Sequence, residues 1–242
     1  MSVNKEVLQE SNILSPKQFD DFLIQLECVP GKRSPLNGLG ARLCFQFMED
    51  TGCRVSETIS IKKKDLDFKT RILTVTNPKT EQRCKCSRWK NKNEYSNIKI
   101  LEYADTQCIK CHGKGKWKKP QRTTFTPRIY SKLVEYCKYL EPDEYLFPIT
   151  RQSLFNWGKQ AGKLANLYIF QQKDERKIDG IFLHLFRELC SKRVKFDARD
   201  DPFRDELVQC KLRHSYDVMA DRYTKIDINY LLNWEAKIYK QV

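Results

Sequence analysis

Apolar periodicity runs through this chain but stops between about Thr80 and Lys119. A segment of that length without an apolar face cannot build a core of its own and needs another source of cohesion. Four of the chain's ten cysteines stand near the two ends of the segment, as Cys84-x-Cys86 and Cys108-x-x-Cys111, with 21 residues between the pairs. That spacing suits a tetrahedral four-thiolate zinc site, structural because four thiolates leave no open position for water. Such a site would hold together a segment with too little apolar content to fold unaided. CIKCH (108–112) also fits a haem c attachment motif, though that chemistry has no use for the CKC pair. Four unliganded thiols in a loop are a third reading, and His112 is an alternative fourth ligand. Zinc is the expectation, with residues 80–119 as a basic, zinc-ribbon-like insertion.

The rest of the chain reads as a folded domain. Of its 242 residues 40% are hydrophobic, far above what a disordered chain carries. No stretch approaches the roughly 18 apolar residues of a membrane span. The N-terminal MSVNKEVLQESNIL lacks the apolar run of a signal peptide. The expected setting is therefore intracellular and cytoplasmic, without a membrane partner, and thiols there stay reduced. The other cysteines (Cys28, Cys44, Cys53, Cys137, Cys190, Cys210) read as small buried hydrophobes. The net charge of +14 favours phosphate-rich partners. Residues 79–128 hold 14 Lys/Arg against 4 Asp/Glu, which is +10 of that excess. Trp89, Tyr95, Tyr103 and Trp117 are interleaved with these charges, a composition suited to phosphate contacts with stacking. Lys116, Lys118, Lys119 and Arg122 are the candidate DNA contacts.

Residues 1–14 read as a tail, followed by a helix over 15–28 with a Ser N-cap and Pro at its first position. A second helix carries Leu39, Leu43, Phe47 and Met48 on one face and ends at Gly52, a left-handed C-cap. A short helical turn with Arg54 and Glu57 follows, and RILTVT (71–76) alternates as a half-buried strand. Helical patterns resume at about 128–140, 151–169, 181–197, 214–222 and 228–240. The acidic DARDDPFRDE (197–206) reads as a loop leading into a short helix. The fold class is α+β, mostly helical with a small antiparallel sheet.

Three segments, in order, resemble the motifs of the tyrosine recombinases, the phage integrase family. TGCRVSE (51–57) is similar to the first arginine box, and HLFR (184–187) to the second, His-x-x-Arg. HSYDVMADRYTKID (214–227) is similar to the third, in which a His precedes the nucleophilic Tyr by nine positions, as His214 precedes Tyr223 here. Lys79, in LTVTNPKT, stands where the family's catalytic lysine lies in a β-hairpin, and PQRTTFTP (120–127) resembles the returning strand. The resemblance covers roughly 15–235 and implies a recombinase catalytic domain over 15–242. Arg54 and Arg187 would grip the scissile phosphate, a task suited to the guanidinium's fork of donors. Tyr223 would attack phosphorus to give a 3′-phosphotyrosyl intermediate, and Lys79 would protonate the departing 5′ oxygen. His184 and His214 would orient the phosphate, and Glu57 would brace the site. The implied partner is double-stranded DNA, with the protein assembling as an oligomer upon it. No cofactor is needed for catalysis.

The chain departs from the family in two places. Arg213 stands where a Gly usually precedes the third-box His, so a larger side chain either moves that His or adds a phosphate contact. Many members also carry an N-terminal DNA-clamping domain, and only some fourteen residues precede the catalytic region here. The basic insertion is expected to take over part of that clamping. Tyr216 and Tyr230 are rival nucleophiles, and Lys85 and Lys119 are rival acids. A type I topoisomerase shares the Arg/Lys/Arg/His/Tyr chemistry, and a non-catalytic, zinc-stabilised DNA-binding protein could occupy the same scaffold. The helix at 228–239 is amphipathic and suited to docking on its own or a partner subunit.

Overall fold

The computed structural model describes residues 14–31, 34, 36–79, 81–91, 98–170, 177–179, 183–213 and 226–239. The chain divides into two compact units, a body formed by residues up to 73 and from 122 onward, and an insertion of 74–121. The body opens with α1 (Pro16–Leu26), started by a capping box in which Ser15 Oγ accepts from Gln18 N and Gln18 Oε1 from Ser15 N. Next comes α2 (Gly38–Thr51), capped by Asn37 and buried almost all round, as a central helix must be. Leu39 departs from the expected face. It is 66% exposed, because in the first turn of the helix it is Gly40 and Ala41 that face the interior. Gly52 takes the left-handed conformation (φ 63°) and ends α2 as expected. After it come α3 (Val55–Thr58), a 3-10 turn (Lys63–Asp65), β1 (Leu66–Asp67) and β2 (Ile72–Val75).

The insertion holds β3 (Gln82–Arg83), β4 (Arg88–Asn91), β5 (Lys99–Tyr103) and β6 (Lys116–Trp117), paired antiparallel as β3 with β6 and β4 with β5. The chain returns through β7 (Gln121–Thr124), which completes a three-stranded sheet in the order β1-β2-β7. It continues with α4 (Pro127–Cys137) and α5 (Arg151–Leu164). Helix α5 stops short of the expected 169. Asn166 turns left-handed (φ 54°), which Asn tolerates, and the aromatic and β-branched Tyr168–Phe170 form β8, antiparallel to β9 (Lys177–Asp179). The remaining elements are α6 (Leu185–Asp197), α7 (Arg204–Leu212) and α8 (Ile228–Ile238). The helix expected at 214–222 lies outside the described residues. Of the six scattered cysteines, Cys28 is exposed and Cys210 half-buried, since both sit at the margin of the helical layers; the other four are buried.

Two packing centres set α6. On one side the rings of Phe22, Phe45 and Phe186 meet with centroids 5.0–5.6 Å apart. On the other, Cys190 and Val194 join Leu207, Leu212, Ile226, Leu231 and Trp234, so α8 docks on its own chain. Charge crosses this interior as well. Lys211, wholly buried, donates to Glu235 (2.7 Å), to Thr124 Oγ1 (2.9 Å) and to Thr124 O (3.1 Å), tying α7 to α8 and β7. Removing one partner of such a pair strands the other charge in the interior. Lys211→Met is therefore expected to cost about 3–5 kcal/mol in urea unfolding, and the double variant K211M/E235M much less. An additive double variant would show that the pair is not what joins these helices.

Candidate functional site

The left-handed turn at Gly52 brings three guanidiniums together. Arg54 is the N-cap of α3. Its backbone N–H donates to Glu57 Oε2 (2.8 Å) and its guanidinium to Glu57 Oε1 (3.0 Å), while its side chain stays about a quarter exposed. Arg187, in the first turn of α6, is buried and donates to the carbonyls of Gly52 and Leu212. A guanidinium has five N–H donors; among the described residues these two carbonyls are the acceptors found for Arg187. Burial, and then the nearby positive charges of Arg54 and Arg213, lower the Arg187 pKa to about 10. Arg213, at the end of α7, donates to Glu57 Oε2 (2.7 Å) and more distantly to the Thr51 and Gly52 carbonyls (3.4 and 3.5 Å). Burial of Glu57 would raise its pKa. Arg213, the Arg54 N–H and the Arg54 guanidinium outweigh that and hold it below the usual carboxylate range.

Arg54, Glu57 and Arg187 thus converge in the body. His184 is the residue before α6, three positions ahead of Arg187, with an exposed ring whose Nε2 stands 4.0 Å from Glu188. Lys79 is exposed and lies in the insertion, four positions after β2. His214, Tyr223 and the rival Tyr216 fall outside the described residues. Tyr230 is described: its hydroxyl bonds to Asp201 and its ring packs on Phe203.

The insertion has a different interior. Among its described residues from 81 to 119, only Cys84, Ser87, Cys111 and Gly115 are buried. The sulfurs of Cys84, Cys86, Cys108 and Cys111 all lie within 4.8 Å of one another, with Cys84 to Cys108 at 3.6 Å and Cys86 to Cys111 at 3.3 Å. A zinc tetrahedron with 2.3 Å bonds sets its sulfurs about 3.8 Å apart, so this donor set fits that metal. The backbone N–H groups of Cys111 and Lys110 point at the Cys108 sulfur and lower its pKa to about 7, whereas desolvation pushes Cys86 up to about 12. His112 is exposed, left-handed (φ 46°) and not part of this group. Ser87 Oγ lies 2.6 Å from Cys84 O and 2.9 Å from Gly115 O and accepts from Trp89 Nε1, which pins the strands around the thiols. Lys116 stacks over Trp89 and Lys110 over Trp117, while Lys118 and Lys119 are exposed.

No family model matches the sequence, and no curated protein does. Solved structures do match. The Tn1549 transposon integrase in complex with transposon right end DNA aligns over 96% of this chain and 68% of its own, with a TM-score of 0.50 and 15% identity. The same integrase with circular intermediate DNA gives 0.50 and 16% over 93% and 65%. The integrase of mycobacterium phage Brujita gives 0.50 and 14% over 95% and 60%. The chain has the integrase fold. It spans between 60% and 68% of the length of these structures.

Within that integrase fold, sequence reasoning missed where Arg213 points. Its side chain is 2% exposed and turned onto Glu57, because Glu57, itself buried, is the nearest acceptor for a desolvated cation. Its backbone is left-handed (φ 57°), a conformation that costs a residue other than glycine roughly 1–2 kcal/mol. The signal was there, in an Arg at a position where the family prefers Gly. The carbonyls of Gly52 and Leu212 gave no signal, because any residue supplies a carbonyl. Arg187→Ala would strip the Leu212 carbonyl of its charged donor and leave the Gly52 carbonyl only the more distant Arg213, and is expected to lower unfolding stability by about 2–4 kcal/mol. An unchanged urea midpoint would mean that these two bonds do not hold the turn.

Proposed function

We propose that this chain is a site-specific DNA recombinase or integrase that breaks and rejoins DNA strands through a 3′-phosphotyrosyl intermediate on Tyr223. The observation that carries this reading is the convergence of Arg54 and Arg187 on the Gly52 turn within an integrase fold. Two guanidiniums in a low-dielectric niche suit the non-bridging oxygens of a phosphodiester, whose charge grows during transfer. The Tyr223 oxygen would bond to phosphorus as the P–O5′ bond breaks. Its proton would leave with the help of His184, and Lys79 would protonate the departing 5′ oxygen. His214 would orient the phosphate. A hydroxyl from another strand then reverses the steps, so the bond energy is conserved and no nucleotide is consumed. Double-stranded DNA is the assigned substrate, in keeping with the DNA held by the Tn1549 integrase, and assembly as an oligomer on that DNA follows from the need to exchange strands.

A nicked duplex traps the covalent step, because the cleaved fragment diffuses away. Wild-type chain is expected to form an adduct that peptide mapping assigns to Tyr223, and Tyr223→Phe to bind DNA without forming it. Mapping to Tyr216 or Tyr230 would overturn the nucleophile. Absence of any adduct would favour a non-catalytic DNA-binding protein on the same scaffold.

We also propose that Cys84, Cys86, Cys108 and Cys111 hold one structural zinc, and that the basic surface around it binds DNA through Lys116, Lys118 and Lys119, with Arg122 contributing from β7. Among the described residues from 81 to 119, the buried positions are chiefly thiols and a hydroxyl, which supports a metal as the source of cohesion there. Metal analysis is expected to find roughly one zinc per chain, lost in C108S/C111S together with part of the DNA affinity. Replacing Lys116, Lys118 and Lys119 should flatten the salt dependence of binding by roughly 0.9 per lost phosphate contact. Metal-free purified protein would overturn the first half, and an unchanged salt slope the second.

A further inference from the structure

Three cations and one carboxylate meet at the Gly52 turn, and the phosphate grip proposed above uses only two of the cations. The third, Arg213, is turned onto the Glu57 carboxylate, to which it donates at 2.7 Å. It also occupies a backbone conformation that any side chain disfavours, so its guanidinium must repay its presence within the site. Glu57 accepts from Arg54 twice, through the backbone N–H and the guanidinium, and from Arg213 once. If Arg54 were the sole cation beside it, Glu57 would cancel the charge that Arg54 offers to a phosphodiester. Among the described residues, the remaining ionisable groups facing Glu57 are Arg187 and the buried Cys53 thiol, and neither bonds to its carboxylate.

We propose that Arg213 is a positioning residue that serves as counter-ion to Glu57, so that Glu57 can orient Arg54 without neutralising it. The paired Glu57–Arg213 unit then holds the Arg54 backbone and guanidinium in place, while the Arg54 charge remains free for an incoming phosphate oxygen. Arg187 is held by the Gly52 and Leu212 carbonyls instead, so it depends on Arg213 only through the shared turn. This assignment rests on the recombinase reading of Arg54 and Arg187.

Two replacements test it. Arg213→Gly removes the charge and relieves the left-handed backbone, so its fold is protected; Arg213→Lys keeps the charge. Carboxyl titration of ¹³C-glutamate-labelled protein, with Glu57 assigned through E57Q, is expected to show the Glu57 midpoint about one pH unit or more higher in R213G, because an opposite charge within bonding distance is lost. Single-turnover cleavage at saturating nicked DNA should fall by roughly 10–100-fold in R213G, as it does when a preorganised phosphate contact is disturbed, with DNA affinity nearly unchanged. Its acid limb should move to higher pH, since Glu57 then protonates earlier, and R213K should recover most of both effects. In an E57Q background, R213G should cost little, because there is no carboxylate left to balance. An unmoved Glu57 midpoint, a full loss in the E57Q background, or no rescue by R213K would each overturn the proposal. Should even the wild-type chain form no adduct, the recombinase reading fails separately. The titration then decides the Arg213 assignment, and an unmoved midpoint overturns it.

Discussion

A single left-handed residue, Gly52, sets the geometry on which the candidate site depends. Its φ of 63° turns the chain out of α2 so that Arg54 emerges two residues later as the cap of α3. A Cβ built on it would come within 2.5 Å of Leu212 Cδ2 and force that side chain to move, so space adds to the conformational preference for glycine. The same turn leaves its carbonyl without a helical partner, and Arg187 from α6 and Arg213 from α7 supply donors. Three segments distant in sequence are thus joined at one peptide unit. Phe186, packed between Phe22 and Phe45, fixes the rotation of α6 that aims the neighbouring Arg187 at it.

Buried charge is used heavily elsewhere in the body. Asp50 accepts from Thr126 N–H and Oγ1, and Arg193 reaches Glu49, the Glu49 and Asp50 carbonyls and the Tyr239 hydroxyl. Burial alone would raise the Asp50 pKa, but Lys211, Arg193 and Thr126 hold it below the usual range. Such pairs add little net stability compared with apolar residues of the same size. What they do add is register. A one-residue slip of α7 would leave Lys211 without Glu235, and a shift of α8 would part Tyr239 from Arg193 and Asp197.

Much of this organisation was legible beforehand because it is written in local signals. Ser15-Pro16 and Gly52 mark helix ends through capping chemistry, and the alternation in 71–76 marks β2. The four cysteines come together as their spacing implied. The boxes around Arg54 and Arg187 do converge, although they are more than a hundred residues apart in sequence. Long-range partners of charged residues were not legible. Lys211, Arg193 and Glu235 look like ordinary surface residues on amphipathic helices, and only the packing of α2, α6, α7 and α8 buries Lys211 and Glu235 and half-buries Arg193. The β8–β9 pair escaped for a related reason, since the short apolar run after Leu164 continues a helical pattern until Asn166 breaks it.

The way the insertion is attached has a consequence for the whole chain. It leaves through β2 and returns through β7, which are adjacent strands of one sheet. Its two ends are therefore held side by side by backbone pairing that belongs to the sheet, whatever lies between them. Closing a loop whose ends are already neighbours depends only weakly on its length, about 0.6 kcal/mol for each doubling. The body is thermodynamically almost indifferent to what is threaded between these strands, so this hairpin is a position where segments can be exchanged, lengthened or lost while the arrangement at Gly52 is kept.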